Sequence, residues 1–417
     1  MLTILPRTLT AASRRRILSS AFSAEKEWSS RHQELTKLGL GGDYEWISAV
    51  QKKFIGGGVA SAVDVDAAVC VAEQRDQVND IIELIYKLRH TENAADMLPS
   101  TEYAFIRLLL KHEPDVIFKL AEDPINYGIF MNKHSACLAI DHFLKRNNIQ
   151  GAARLAAWVM LQEMTDNELL NLLVLHACAR WAELPKDQQT LPKEEKTEED
   201  DGEEKTVKFP YLKNYHFDEH FDLTEAGHLV GKTLLWVGRD CSSLGEDLGK
   251  SLRLLGAVLS DKYELAATLA TSSIDGSIAA LIQQRLVPAE GADIPDAQKK
   301  IFDGLAECKK SEKKASELLL DVLNTLKEKE EGALVQKQVA EFKDWNRRRQ
   351  ELVKAQAERV LLRVRAEEIT KEMDELEKQN EKLFFFENRL RWEKKAAENS
   401  KIAEEYAASK TKAVRAK

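Results

Sequence analysis

Few residues in this chain have the types and spacing that chemistry requires. His216 and His220, in the stretch YHFDEHFD, stand four apart with Asp218 and Glu219 between them. On a helix that spacing puts both imidazoles on one face, the start of a zinc site. Zinc catalysis also needs a third ligand and a general base in a known spacing, and neither follows here. His134, His142 and His176 have no Ser or Cys nucleophile in register with them. His176 and Cys178, two apart, point to different faces of a helix. The glycine clusters Gly39-Leu40-Gly41-Gly42 and Gly56-Gly57-Gly58 lack the Lys-Ser/Thr of a phosphate loop and read as turns ahead of helices. The five cysteines, Cys70, Cys137, Cys178, Cys241 and Cys308, include no CxxC pair and read as buried thiols in a reducing compartment. This pattern argues against an enzyme and implies no cofactor and no metal.

What remains is charge that could hold phosphate. Basic residues gather near what read as inter-helix turns: Lys87, Arg89 and His90; Arg107 and Lys111; Lys145, Arg146 and Arg154. A stripe of such residues along one edge can grip a phosphate backbone without reading bases. Lys111, Lys145, Arg146 and Arg154 are the RNA-contact candidates. Lys410, Lys412, Arg415 and Lys417 join them, from an acid-free tail over Ser409–Lys417.

The elements that must position these residues announce themselves by a period. Ala72, Ile106, Ile140 and Val174 are 34 residues apart, as are Cys70, Ala104, Leu138 and Leu172. A fixed period in this range signals stacked helical hairpins, none able to bury its apolar face alone. Residues 59–183 therefore read as three to four hairpins. Ser100 is placed to cap one first helix, Pro114 to open a second helix, and Asp166 to start another. In DHFLKRNNIQGAARLAAWVMLQE (residues 141–163), two helical runs meet at Arg146-Asn147-Asn148, and Gly151-Ala152-Ala153 is small enough for close helix packing.

Composition divides the rest of the chain. Net charge is −8, and 44% of residues are hydrophobic, a balance unlike that of a protein coated in nucleic acid. No apolar run approaches the roughly 20 residues that span a bilayer. Residues 1–24 carry Arg7, Arg14, Arg15 and Arg16 and no acid, the composition of a mitochondrial transit peptide. Arg15, Ile17 and Ser20 resemble a processing pattern that would cut near Ala24, leaving a net charge of −12, from 57 basic and 69 acidic residues. Residues 25–58 form an N-terminal extension. Residues 184–208, with eight acidic residues between Glu194 and Glu204, read as a solvated linker. Helical patterning resumes over 209–290.

In residues 291–417 a seam runs from Trp345 through Arg348, Leu352, Ala355, Arg359, Leu362, Ala366, Ile369, Met373, Leu376, Asn380, Leu383 and Glu387 to Leu390. Ten of these 14 positions are apolar, the pattern of a coiled coil. The seam is expected to pack on a neighbouring protein, on another chain, or on the chain's own second helix, Lys309–Lys329. Phe384, Phe385, Phe386 and Trp392 break the pattern, as a docking point for a partner or as a local cluster at the helix end.

The 34-residue hairpin resembles the pentatricopeptide repeat. Ile140-Asp141, Phe143, Lys145 and Ala152 fall where that repeat places apolar, Asp, Lys and Ala residues, and Gly128-Ile129-Phe130 looks like its closing turn. Base-reading repeats use small polar residues early in the first helix. The corresponding Leu138 offers no donor or acceptor, so shape or phosphate binding is expected instead. More widely, Tyr86-Lys87-Leu88-Arg89-His90, Tyr127-Gly128-Ile129-Phe130 and Asp141 to Glu163 resemble the mitochondrial small-ribosomal-subunit protein twenty-seven family.

That resemblance implies a non-enzymatic, matrix-located mitoribosome component packed on small-subunit ribosomal RNA and neighbouring ribosomal proteins, with no membrane and no small-molecule substrate. The expected fold is all-α, an α-solenoid of pentatricopeptide-like hairpins followed by a long C-terminal helix or coiled coil. Two other functions fit the same elements: a free mitochondrial RNA-binding factor for transcript stability or processing, and a matrix coiled-coil adaptor.

Overall fold

The computed structural model describes residues 17–40, 43–192, 218–271, 273–286, 295–306, 308 and 313–415. It is all-α, and no strand occurs among the described residues. The chain forms two compact units, Met1–Arg349 and Gln350–Lys417.

In the first unit α1 (Glu25–Ser29), α2 (Arg31–Lys37) and α3 (Asp43–Lys53) precede a series of stacked helical pairs. These are α4 (Ala62–Val71) with α5 (Gln77–Arg89), α6 (Pro99–His112) with α7 (Val116–Glu122) and α8 (Pro124–Tyr127), α9 (Lys133–Lys145) with α10 (Ile149–Leu161), and α11 (Glu168–Ala182) with α12 (Ala226–Asp240). The leading helices α4, α6, α9 and α11 pack side by side in chain order. Ile106, Ile140 and Val174 lie fully buried at equivalent places in this row, and Ala72 closes α4. The 34-residue period is thus the recurrence of one core position.

Local chemistry makes each hairpin. At the turn between α9 and α10, Asn147 takes a left-handed φ of 57°, which Asn tolerates better than most residues. Asn148 then caps α10, its side chain accepting from the Gly151 N–H at 2.9 Å. A Cβ on Gly151 would lie 2.7 Å from a Phe143 ring atom and 3.0 Å from Phe118, so a glycine is needed for that close approach. The caps elsewhere differ from those read from the sequence. Pro99 opens α6, and Ser100, already inside the helix, turns its hydroxyl to Asp66. Asn167 rather than Asp166 caps α11, because Asp166 is held by Lys133 at 2.5 Å.

After α12 come α13 (Glu246–Leu259), α14 (Tyr263–Leu269), α15 (Gly276–Leu286) and α16 (Asp296–Leu305). Within residues 184–192, expected as the start of a solvated linker, residues 185–188 are exposed, while Leu191 is buried and the Thr190 carbonyl accepts from Trp181 Nε1 at 3.0 Å. The acidic block, residues 194–204, lies outside the described residues. A single helix α17 (Ala315–Leu383) follows. Lys309–Lys329 is therefore not a separate helix for the seam to pair with, since its described part is the beginning of α17. Residues 315–349 of α17 belong to the first unit; the rest, with α18 (Phe385–Arg415), form the second.

Candidate nucleic-acid interface

The row α4–α6–α9–α11 is covered by the chain itself. Residues 315–349 of α17 touch all four leading helices or their caps. On α4, Asp66, fully buried, accepts from Arg349 Nε at 2.6 Å. On α6, the Tyr103 ring packs against Phe342 and Trp345, both with centroids 5.4 Å away. The α9 cap Asn132 donates to Gln338 Oε1 at 2.9 Å. On α11, His176 Nδ1 donates to the Ser316 carbonyl at 3.0 Å. Burial holds the His176 imidazole down to a pKa of about 4 against that carbonyl, so it is a neutral donor at pH 7. The buried positions on α17 include Leu319, Leu323, Glu331, Leu334, Gln338, Phe342 and Arg349. Their spacings of 4, 8, 3, 4, 4 and 7 keep them on one face of a 3.6-residue helix.

Residues 17–24 fill the space beside α17. Leu18 and Phe22 are each 1% exposed. The Leu18 N–H donates to Asp141 Oδ1 at 3.3 Å, and the Ser19 N–H to Glu331 Oε1 at 3.0 Å. Phe22 stacks on His134 at 4.6 Å. His134 Nε2 donates to the Phe22 carbonyl at 2.7 Å, leaving Nδ1 to accept from the Tyr103 hydroxyl at 3.0 Å. Burial keeps His134 neutral, with a pKa near 4 despite the Phe22 carbonyl.

At the outer edge of this covered face lies an open hollow of about 350 Å³, lined in part by Arg107, Lys111, Leu138, Asp141, Lys145 and Arg146. Leu138 borders it and presents no polar atom. Arg107 is turned inward, to the Ser23 carbonyl at 2.6 Å and to Glu25. Lys145 pairs with Asp141, itself buried. Lys111 reaches the Glu73 carbonyl at 3.3 Å while staying exposed, and Arg146 is exposed. Arg154 is separate from the hollow: it is buried, with Nη2 3.4 Å from Glu122. Lys111, Lys145 and Arg146 therefore come together and Arg154 does not. Lys410, Lys412 and Arg415 lie on the backbone of α18, while their side chains, and Lys417 altogether, fall outside the description.

His216 lies outside the described residues, and no group of three His, Cys, Asp or Glu side chains suited to a metal occurs among those described. His220 is a clasp. Its Nε2 donates to the Leu161 carbonyl at 3.0 Å, its Nδ1 meets Lys232 Nζ at 2.9 Å, and its ring stacks on Trp236 at 5.2 Å. Nor is any described helix long and apolar enough to cross a membrane.

In the second unit the expected seam is an exposed stripe. Leu362, Ile369, Met373, Leu376, Leu383 and Leu390 are between 48% and 79% exposed. The aromatic group divides: Phe385 packs on Trp392 at 5.2 Å, a local cluster, while Phe386 is 87% exposed. At the start of the seam Trp345 packs on Tyr103, whereas Arg348 is exposed and its neighbour Arg349 is buried.

Sequence reasoning missed the Asp66–Arg349 pair and the burial of residues 17–24. A signal existed for each: Asp66 is a charge within the apolar run AVDVDAAVCV, and Ile17, Leu18 and Phe22 are apolar residues just behind three arginines. With this geometry in view, one comparison is informative: a family model described as mitochondrial 28S ribosomal protein S27 matches residues 2–375.

Proposed function

The chain belongs to the mitochondrial 28S ribosomal protein S27 family, which makes it a protein of the mitochondrial small ribosomal subunit, and from that premise we propose that it is a structural brace contacting ribosomal RNA through phosphate alone. Its place of work is the matrix. The observation that carries this reading is the covered row: the face a base-reading repeat would offer to single-stranded RNA is occupied by α17 and residues 17–24. A groove filled by the chain's own side chains has no room for splayed bases, which weighs against a free transcript-binding factor. What stays open to solvent is the rim at Lys111 and Arg146, with Lys145 held beside them by Asp141. Cations at an edge suit the regular phosphates of a folded RNA helix. Arg154, being buried, serves the packing of α7 on α10.

The test is the double reversal Lys111→Glu/Arg146→Glu, assembled into small subunits and sedimented at rising KCl. Each lost phosphate contact removes about 0.7–0.9 from the slope of log affinity against log salt. The variant should therefore leave the subunit at lower salt than the native chain. An unchanged salt profile would sink the phosphate reading, and RNA cross-links at Leu138 or His134 would restore a threaded strand.

A second contact is proposed for the second unit. Its exposed heptad stripe, Leu362 to Leu390, fits the apolar face of a helix from a neighbouring ribosomal protein.

A further inference from the structure

We propose that the segment following the arginine run is a permanent strap of the folded protein, so that any cut made on import falls on the N-terminal side of Leu18. The inference rests on the mitochondrial reading above and moves the expected processing point from near Ala24 to the edge of Arg14-Arg15-Arg16.

The strap is too deeply built in to be a discarded leader. Between Ile17 and Ala24 it ties three elements that are distant in sequence. To α9 it gives the Leu18 N–H on Asp141, the Phe22 ring on His134 and the Phe22 carbonyl on His134 Nε2. To α6 it gives the Ser23 carbonyl, held by Arg107. To α17 it gives the Ser19 N–H on Glu331, and the Ile17 carbonyl accepts from Lys327. Its end is shaped as well: Ala24 takes a φ of 46° and its N–H closes on the Ala21 carbonyl, which turns the chain directly into α1.

Cutting near Ala24 would do three kinds of harm. It would remove Leu18 and Phe22 from the core. It would strip Asp141 and Glu331, 2% and 8% exposed, of one backbone donor each. It would also leave the His134 Nε2–H buried with no acceptor. Unpaired buried groups are penalised far beyond the worth of the bonds they lose. Cutting before Leu18 spares all of these and gives up only Ile17 with the Lys327 bond to its carbonyl. The Leu18 nitrogen would become an ammonium still beside the Asp141 carboxylate, a charge-assisted version of the same contact.

The full-length precursor is imported into isolated mitochondria, and the N-terminus of the assembled protein is read by mass spectrometry. A mature chain starting at or before Leu18 supports the strap, and one starting at Ser19 or later overturns it. An imported chain that stays uncut still retains the strap, but removes the leader reading. Two recombinant truncations separate folding from processing. A chain beginning at Leu18 should melt with the full-length protein, whereas one beginning at Glu25 should melt lower by about 5 °C or more. Equal melting of the two would overturn the strap's structural role.

Discussion

Replacing Arg349 by Met would test the covered row directly, because Arg349 is the last inward contact of α17 in the first unit. The Arg349 side chain is 3% exposed and that of Asp66 is not exposed at all. Asp66 also accepts from Ser100 Oγ at 2.5 Å and Thr101 Oγ1 at 2.9 Å. Met keeps most of the side-chain volume but removes the countercharge, stranding a buried carboxylate on two hydroxyls. Breaking a buried pair by removing one partner costs about 3–5 kcal/mol. Adding Asp66→Asn removes the stranded charge while preserving an acceptor for both hydroxyls, so the double variant should cost only about 1–2 kcal/mol.

Adding Asp66→Asn should therefore recover about 2–3 kcal/mol of what Arg349→Met alone costs. Urea unfolding of the native chain, both single variants and the double variant measures it. At a slope of about 3 kcal/mol per molar, Arg349→Met should lower the midpoint by about 1–1.7 M. Amide exchange in residues 334–349 should accelerate in the same variant, since that stretch loses its far anchor. A midpoint within about 0.3 M of native would refute the reasoning, because it would mean that Arg349 does not pin α17 onto α4.

The helix pair α12–α13 gives a second prediction. A Cβ on Gly256 would lie 2.6 Å from the Gly231 carbonyl oxygen and 2.9 Å from the Leu235 nitrogen. Gly256→Ala must therefore force two backbones apart, at about 1–3 kcal/mol, whereas Gly332→Ala, with nothing within 4 Å, should stabilise α17 by about 0.5–1 kcal/mol; thermal melting of both should show opposite signs. Glu102 supplies a pH test: burial raises its carboxyl to a pKa of about 7, against a bond from the Phe130 N–H. A carboxyl whose folded pKa is raised contributes fully below its ordinary value near 4.5 and loses that contribution as pH rises through 7. Glu102→Gln should thus match native stability at pH 4.5 and exceed it at pH 8, and equal gaps at both pH values would contradict the assignment. Finally, Met373→Lys/Leu376→Lys should leave the melting of the first unit unchanged while weakening incorporation into small subunits; undiminished incorporation would remove the docking role of the stripe.

How much of this was legible turns on what kind of face each helix buries. The hairpins were readable because Ile106, Ile140 and Val174 are apolar, fully buried and evenly spaced. The stripe of the second unit was readable from its spacing alone, with leucines, Ile369 and Met373 at heptad places, though it is exposed. Residues 315–349 of α17 were not, because their inward face carries Ser316, Glu331, Gln338 and Arg349 among the apolar residues. Periodicity counts such residues as solvent-facing. Each instead finds a partner: Glu183 for Ser316 at 2.7 Å, the Ser19 N–H for Glu331, Asn132 for Gln338 and Asp66 for Arg349. None of these matches can be seen from α17 alone. Asn132 lies 206 residues away and Asp66 lies 283. The strap escaped for a different reason, since the arginines before it dominate the composition of the window that contains it.

Those polar pairs also explain how one long helix finds a single place on the row. A face made only of Leu and Ala would tolerate sliding by a turn, about 5.4 Å, with little loss of apolar burial. Here a one-turn slip would part Arg349 from Asp66, Gln338 from Asn132 and Ser316 from Glu183 together, leaving several buried polar groups without partners. Register is thereby fixed over about 50 Å of helix. On the proposed reading, a brace within a ribosome must keep its exposed rim, Lys111 and Arg146, at a constant place against RNA. A covered row locked by matched polar groups supplies that constancy.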